Sequence, residues 1–156
     1  MTAKLEFRRA TQNDPIPWAF LLDADGPREV VETYLARSEL WLAEHDDKLV
    51  AQMVLLETRP GVLEILNMAV LPQLRSQGIG TMLLTKAQTL AKSRGLERLE
   101  VGTGNNCCRQ PAFYQRFGFR IFGVDRDFFV RRWASVSRLD GVPLLDLVRM
   151  EIVFDA

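Results

Sequence analysis

A polar loop between an apolar strand and an amphipathic helix is where this sequence could do chemistry. It follows Pro72 and reads Gln73-Leu74-Arg75-Ser76-Gln77-Gly78-Ile79-Gly80-Thr81. Two glycines let the backbone approach a ligand closely. The N–H groups of a first helical turn lack intrahelical acceptors and carry partial positive charge. Together these features suit a phosphate group. The loop is not a Walker A motif, because no Gly-Lys-Ser/Thr follows. It is not a Rossmann fingerprint, because the third glycine is missing and the unit comes after a β-meander. An ordinary loop is the competing reading. Metal or thiol chemistry finds little support. His45 is the single histidine, and the only cysteines are the adjacent Cys107 and Cys108. Two thiols are too few for a disulfide framework or a zinc site. His45 lies on a distant turn and offers no base for a cysteine nucleophile, so both cysteines read as small buried residues.

The elements that must position this loop can be read on either side of it. Leu5–Arg9 reads as a strand, and Asp14-Pro15 as the start of a helix carrying Trp18, Phe20, Leu21 and Leu22. Arg28–Arg37 reads as a second helix, with Val30, Val31, Tyr34 and Leu35 on one face. Three strands follow, Glu39–Glu44, Leu49–Glu57 and Val62–Leu71, with turns at His45–Lys48 and Arg59-Pro60-Gly61. The helix after Gly78 has Ile79, Met82, Leu83, Ala87, Leu90 and Ala91 at helical spacing, and Gly95 ends it. Arg98–Gly102 is a strand, and Pro111 starts a short helix that stops at Gly118. Phe119–Val124 and Leu144–Phe154 are the last strands, joined irregularly. Hairpins before the loop and a right-handed crossover after it predict a mixed sheet with helices on its faces. The expected class is α/β (α+β): a mostly antiparallel sheet of about six to seven strands with about four helices, in one domain over residues 1–156.

Arg75-x-x-Gly78-x-Gly80 resembles the Gln/Arg-x-x-Gly-x-Gly/Ala motif of the GNAT superfamily of acyl-CoA N-acyltransferases, and Tyr114-Gln115-Arg116-Phe117-Gly118-Phe119 its Tyr-x-x-x-Gly-Phe segment. The resemblance is specific over Glu64–Phe119. It implies a GNAT-like fold and acetyl-CoA as co-substrate, with the cofactor's pyrophosphate on the backbone of Gln77, Gly78, Ile79, Gly80 and Thr81 beside Arg75 and Ser76. The main chain of Met68, Ala69 and Val70 would pair with the pantetheine arm like an added strand. Tyr114 would donate a proton to the departing thiolate, and Glu64 would act as general base, usually through water. Glu64 stands among apolar neighbours, and burial there would raise its pKa; a place on the solvent face is the competing reading. The family commonly has Asn seven residues before the tyrosine. That position is Cys107 here, so Asn105 or Asn106 would have to serve the pantetheine. The acceptor would approach between the first two helices and a late hairpin carrying Asp125, Arg126, Asp127, Arg131 and Arg132, with Asp23 and Asp25 opposite. Acids suit a cationic amine and arginines an acceptor with a carboxylate or phosphate; both kinds are present.

Formal net charge is zero, from 20 basic and 20 acidic residues, so no bulk field draws nucleic acid or an anionic membrane. The halves differ: residues 1–70 carry 12 acidic and 7 basic residues, and residues 71–156 carry 8 and 13. The basic half contains the proposed cofactor apparatus from Arg75 to Tyr114, and 16 of the 20 cations are arginine, whose planar fork suits phosphate. No signal-like apolar region opens the chain and no stretch is long enough to cross a membrane, which with the two thiols points to the cytoplasm. The expected activity is N-acetyl transfer to a primary amine of a small molecule or peptide, without metal; a homodimer is left open. The alternatives are a non-catalytic acyl-CoA-binding or sensor domain, and an interaction module that keeps only the fold.

Overall fold

A computed structural model describes residues 4–132 and 137–155. Strand β1 (Glu6–Arg9) is followed by helices α1 (Trp18–Ala24) and α2 (Arg28–Leu35), then strands β2 (Glu39–His45), β3 (Lys48–Arg59) and β4 (Val62–Val70). After a 3₁₀ turn at Pro72–Leu74 come α3 (Ile79–Ser93), β5 (Arg98–Gly104), α4 (Arg109–Phe117), β6 (Arg120–Asp125), α5 (Phe128–Arg132), β7 (Arg138–Leu139), β8 (Val142–Pro143) and β9 (Leu147–Val153). Seven strands form one sheet in the order β1-β2-β3-β4-β5-β9-β6, and β7-β8 is a separate hairpin. Among the described residues only β4 and β5 pair in parallel. The mixed, mostly antiparallel sheet with flanking helices is the expected fold, with one helix more than the sequence suggests.

Local physics accounts for the differences. Helix α1 starts at Trp18, not at Asp14, because prolines at 15 and 17 disfavour helical backbone in the residues before them. The Asp14 carboxylate instead accepts from the Thr11 N–H at 2.8 Å and pairs with Arg8 at 2.7 Å. Helix α4 begins two residues before Pro111, which falls in the first turn, where a missing N–H costs nothing. Strand β9 begins only at Leu147, because residues 144–146 are held as a loop. The connection read as irregular contains α5 and the β7-β8 hairpin, and part of it, residues 133–136, lies outside the described residues. Arg131 and Arg132 therefore stand on a short helix, not on a hairpin. Gly95 has a φ of 68°, the left-handed conformation that stops α3.

Two apolar layers fix the sheet. On one face Leu63, Ile65, Leu99, Val101 and Met150 pack with Leu83, Leu84 and Ala87 of α3 and with Tyr114 and Phe119. Burying each large side chain contributes about 1.5–3 kcal/mol relative to exposure. The inward face of α3 is rotated from the sequence reading: Leu84 is fully buried and Met82 is 41% exposed. On the other face Leu21, Val31 and Tyr34 of α1 and α2 cover Val54 and Leu66. Side chains alternate along a strand, so Glu64, between Leu63 and Ile65, belongs to this second face.

Candidate active site

The sheet opens between its two parallel strands. Strands β4 and β5 pair from Val62↔Arg98 to Ile65↔Val101 and then part, although β4 continues to Val70 and β5 to Gly104. The cause is an extra residue. Along β3, Leu55 pairs with Ile65 and Val54 with Asn67, so Leu66 is a bulge. A bulge bends and twists its strand. Beyond it, Asn67–Val70 has a strand partner, β3, on one edge only. The other edge faces the gap and can accept an extended ligand as an added strand.

The glycine loop lies at the end of this opened strand. Gly78 caps α3 with a φ of 88° and supplies no side-chain cap. That positive φ favours glycine. No side chain takes the first-turn N–H groups, so they can serve an anion. Phe113 of α4 leans over Gly80: a Cβ at Gly80 would come 3.0 Å from its ring. Ser76 is also left-handed, with a φ of 63°. Arg75 turns away from the loop and pairs with Asp23 of α1 at 2.5 Å.

Tyr114 approaches from the α3/α4 face. Its ring lies 5.2 Å from Phe113 and 5.6 Å from Phe119, centroid to centroid, and 7% of the residue is exposed. Burial alone pushes its phenol up to about 12. Glu64 lies across the sheet, on the α1/α2 face. Its Oε1 accepts from the Thr58 hydroxyl at 3.1 Å. Burial raises its pKa above the usual carboxylate value, and the charge of Arg149 partly offsets this. Thus a phenol and a carboxyl with an elevated pKa stand on opposite faces of the sheet, the carboxyl in the paired rows just before the two strands part.

Asn105 and Asn106 have other partners. The Asn105 Oδ1 accepts from the N–H groups of Leu145 and Asp146 at 2.8 and 3.0 Å, and its Nδ2 donates to the Pro143 carbonyl at 3.1 Å. Asn106 donates to the Val142 carbonyl at 3.1 Å. Both side chains pin the segment before β9. Cys107 is half-buried and Cys108 exposed, contrary to the expectation that both are buried, because they lie at the surface end of α4.

Sequence reasoning missed a polar chain running from the sheet to α5. Gln52 donates to Asn67 at 2.7 Å, and Asn67 donates to the Leu21 carbonyl at 3.0 Å and to the Tyr34 oxygen at 3.2 Å. Tyr34 donates to Asp25 at 2.9 Å, and Arg132 pairs with the same carboxylate at 3.2 Å. Burial raises the Tyr34 phenol well above its ordinary value. This chain ties both first helices and α5 to the strand that lines the gap. The available signal was a pair of amides, Gln52 and Asn67, inside otherwise apolar strands.

A sheet split between parallel strands, a glycine turn with uncapped helical N–H groups at the split and a phenol on one face of the sheet are features of the class of acyl-CoA-dependent transferases. Residues 6–119 match the Acetyltransferase (GNAT) family. A protein of Bacillus subtilis (strain 168) named "Uncharacterized N-acetyltransferase YvbK" is 37% identical over 147 residues, 94% of this chain and 95% of that protein. The crystal structure of a GNAT family acetyltransferase from Elizabethkingia anophelis with acetyl-CoA bound has a TM-score of 0.93 at 31% identity, covering 96% of this chain and 98% of that one. A Bacillus subtilis acetyltransferase solved in complex with CoA has a TM-score of 0.89 at 36% identity, covering 97% and 99%. The chain belongs to the acetyltransferase (GNAT) family, and with it to the N-acetyltransferases.

Proposed function

We propose that this chain transfers the acetyl group of acetyl-CoA to a primary amine of a small molecule or peptide, by direct attack in a ternary complex. The observation that carries the reading is the gap between β4 and β5, with Tyr114 on one face of the sheet and Glu64 on the other, in the paired rows just before the gap. The residues present fit acetyl-CoA. The first-turn amides of α3, from Gln77 to Thr81, suit a pyrophosphate, and the open edge of Met68–Val70 suits the amide-rich pantetheine arm. Arg75 and Ser76 flank the pyrophosphate position. Asn105 and Asn106 act on the cofactor indirectly, by fixing the loop beside it.

The thioester then enters the gap from the α3/α4 face, and the acceptor comes from the α1/α2 face. A main-chain N–H at Met68 polarises the thioester carbonyl. Glu64, more basic than an ordinary carboxylate because it is buried, takes a proton from the attacking amine through water. Nitrogen attacks the carbonyl carbon, and the carbon–sulfur bond breaks. Tyr114, with a phenol at about 12, stays protonated opposite a thiolate whose own pKa is about 8.5. Its part is to donate a hydrogen bond to the leaving sulfur. Orientation in the gap supplies much of the acceleration.

The test is release of free thiol from acetyl-CoA across amines, polyamines, amino acids, aminoglycosides and peptide N-termini. Turnover with at least one class is expected. Tight acetyl-CoA binding with no thiol release across the panel would instead support the non-catalytic binding domain.

A further inference from the structure

The α1/α2 face of the sheet continues past Glu64 onto β5, β9 and β6 as a charged floor. Glu64, Glu100 and Glu151 form one cross-strand row. Two of these carboxylates have cationic partners: Arg59 holds Glu100, and Arg98 holds Glu151 at 3.1 Å. The next row toward the open end of the gap is Gly102, Arg149 and Gly123. Arg149 is half-buried, and among the described residues no side chain or backbone oxygen pairs with its guanidinium. A partly buried cation with five donors and no acceptor is costly unless a ligand or water satisfies it. Room for a ligand exists beside it: nothing lies within 4 Å of where a Cβ on Gly123 would stand. On the other side Leu147 folds over Gly102 and gives an apolar wall.

Glu64 is two strands and one pair step away, about 12 Å between Cα atoms from strand spacings of ~4.8 Å and ~3.3 Å per residue. An arginine side chain spans much of that distance, in keeping with the influence of Arg149 on the Glu64 carboxyl. Glu64 and Arg149 are thus a base and a half-buried guanidinium without an ion-pair partner on this floor; Arg120, at its β6 edge beside Glu151, also lacks one but is exposed.

We infer that Arg149 is the acceptor's anchor: the acceptor is an amine that also carries a carboxylate, which Arg149 binds while the amine faces Glu64 and the gap. A monoanion is favoured over phosphate, because a single half-buried guanidinium is offered and the neighbouring Glu64 carboxylate, which has no ion-pair partner, would repel a dianion. The inference rests on the acetyl-transfer reading and names the substrate class of that site.

Matched pairs of acceptors test it, each an amino acid and its carboxamide, assayed by thiol release with acetyl-CoA saturating. The wild-type protein favours the acid over the amide by tenfold or more in kcat/KM, mainly through KM. Arg149→Gln brings that ratio to within about twofold of unity, and Arg149→Lys recovers part of it. A wild-type ratio near one, or a ratio unchanged in Arg149→Gln, overturns the inference while leaving acetyl transfer intact. If no acceptor is turned over, binding still decides. N-acetylated amino acids are titrated into the wild-type protein with CoA, and the Arg149 Nε resonance is followed by NMR in [15N]arginine-labelled protein. A saturable shift with the acids and none with their amides upholds the anchor even though transfer has failed; no shift with any of them overturns it.

Discussion

Replacing Asn67 by leucine isolates the polar chain that holds the helices over the gap. Asn67 is 4% exposed, and leucine nearly matches its volume, so little cavity forms. Three hydrogen bonds are lost. The Leu21 carbonyl still accepts from the Asp25 N–H at 3.0 Å, and Tyr34 still donates to Asp25. Each of those two losses costs about 0.5–1 kcal/mol. Gln52 fares worse. It is fully buried, its Oε1 already has no partner, and its Nε2 loses the only acceptor it has, at about 1–3 kcal/mol. The sum, less roughly 1 kcal/mol gained by burying apolar carbon, is a destabilisation of about 1–4 kcal/mol. At ~2–4 °C per kcal/mol for a chain of this size, the melting midpoint falls by about 2–16 °C. Urea unfolding followed by circular dichroism measures the free energy. Because the largest part is the orphaned Gln52 amide, Gln52→Leu/Asn67→Leu should be more stable than Asn67→Leu alone, with a coupling above ~1 kcal/mol. Additive losses, or a single-variant loss below 1 kcal/mol, would refute the reasoning.

Further outcomes follow from other residues. In the wild-type protein, rate should climb with pH through the elevated Glu64 pKa, because the base works only when ionised; in Glu64→Gln this limb should move toward the acceptor amine's own pKa. The same raised pKa costs stability above the unfolded-state value of ~4.3. Glu64→Gln should therefore unfold at higher urea than wild type at pH 8, with the gap closing below pH 4. Arg59→Met leaves the Glu100 carboxylate, 2% exposed, without its partner, and should cost about 2–3 kcal/mol in urea, at or just below the range for broken buried pairs because Arg59 is half exposed. Gly80→Val sets a branched side chain against Phe113 and over the first-turn amides, and calorimetry should show at least tenfold weaker acetyl-CoA binding.

Much of the fold was legible because its cues are local. Hydrophobic alternation marks β2 to β4, helical spacing marks α3, and Gly95 and Gly118 close their helices by backbone conformation. The glycine loop and Tyr114 were legible for the same reason: motif residues lie within a few positions of each other. The gap itself was not legible. It depends on the Leu66 bulge, which is a matter of register between β3 and β4. Nor were Arg149 and the chain from Gln52 to Arg132, whose members lie up to 107 positions apart and meet only across strands and helices. Asn105 shows the reverse case. The sequence offers it to the cofactor, while the fold spends its side chain on residues 143–146.

The central claim is that a phenol and a base act on one reaction through the opened sheet. Tyr114→Phe tests it most directly. No protein group among the described residues bonds the hydroxyl, so its removal leaves no orphan and should leave both stability and acetyl-CoA affinity nearly unchanged. With the best amine from the panel, kcat should fall by about 10²-fold or more. Unchanged kcat, or a loss that merely follows weaker acetyl-CoA binding, would contradict the account.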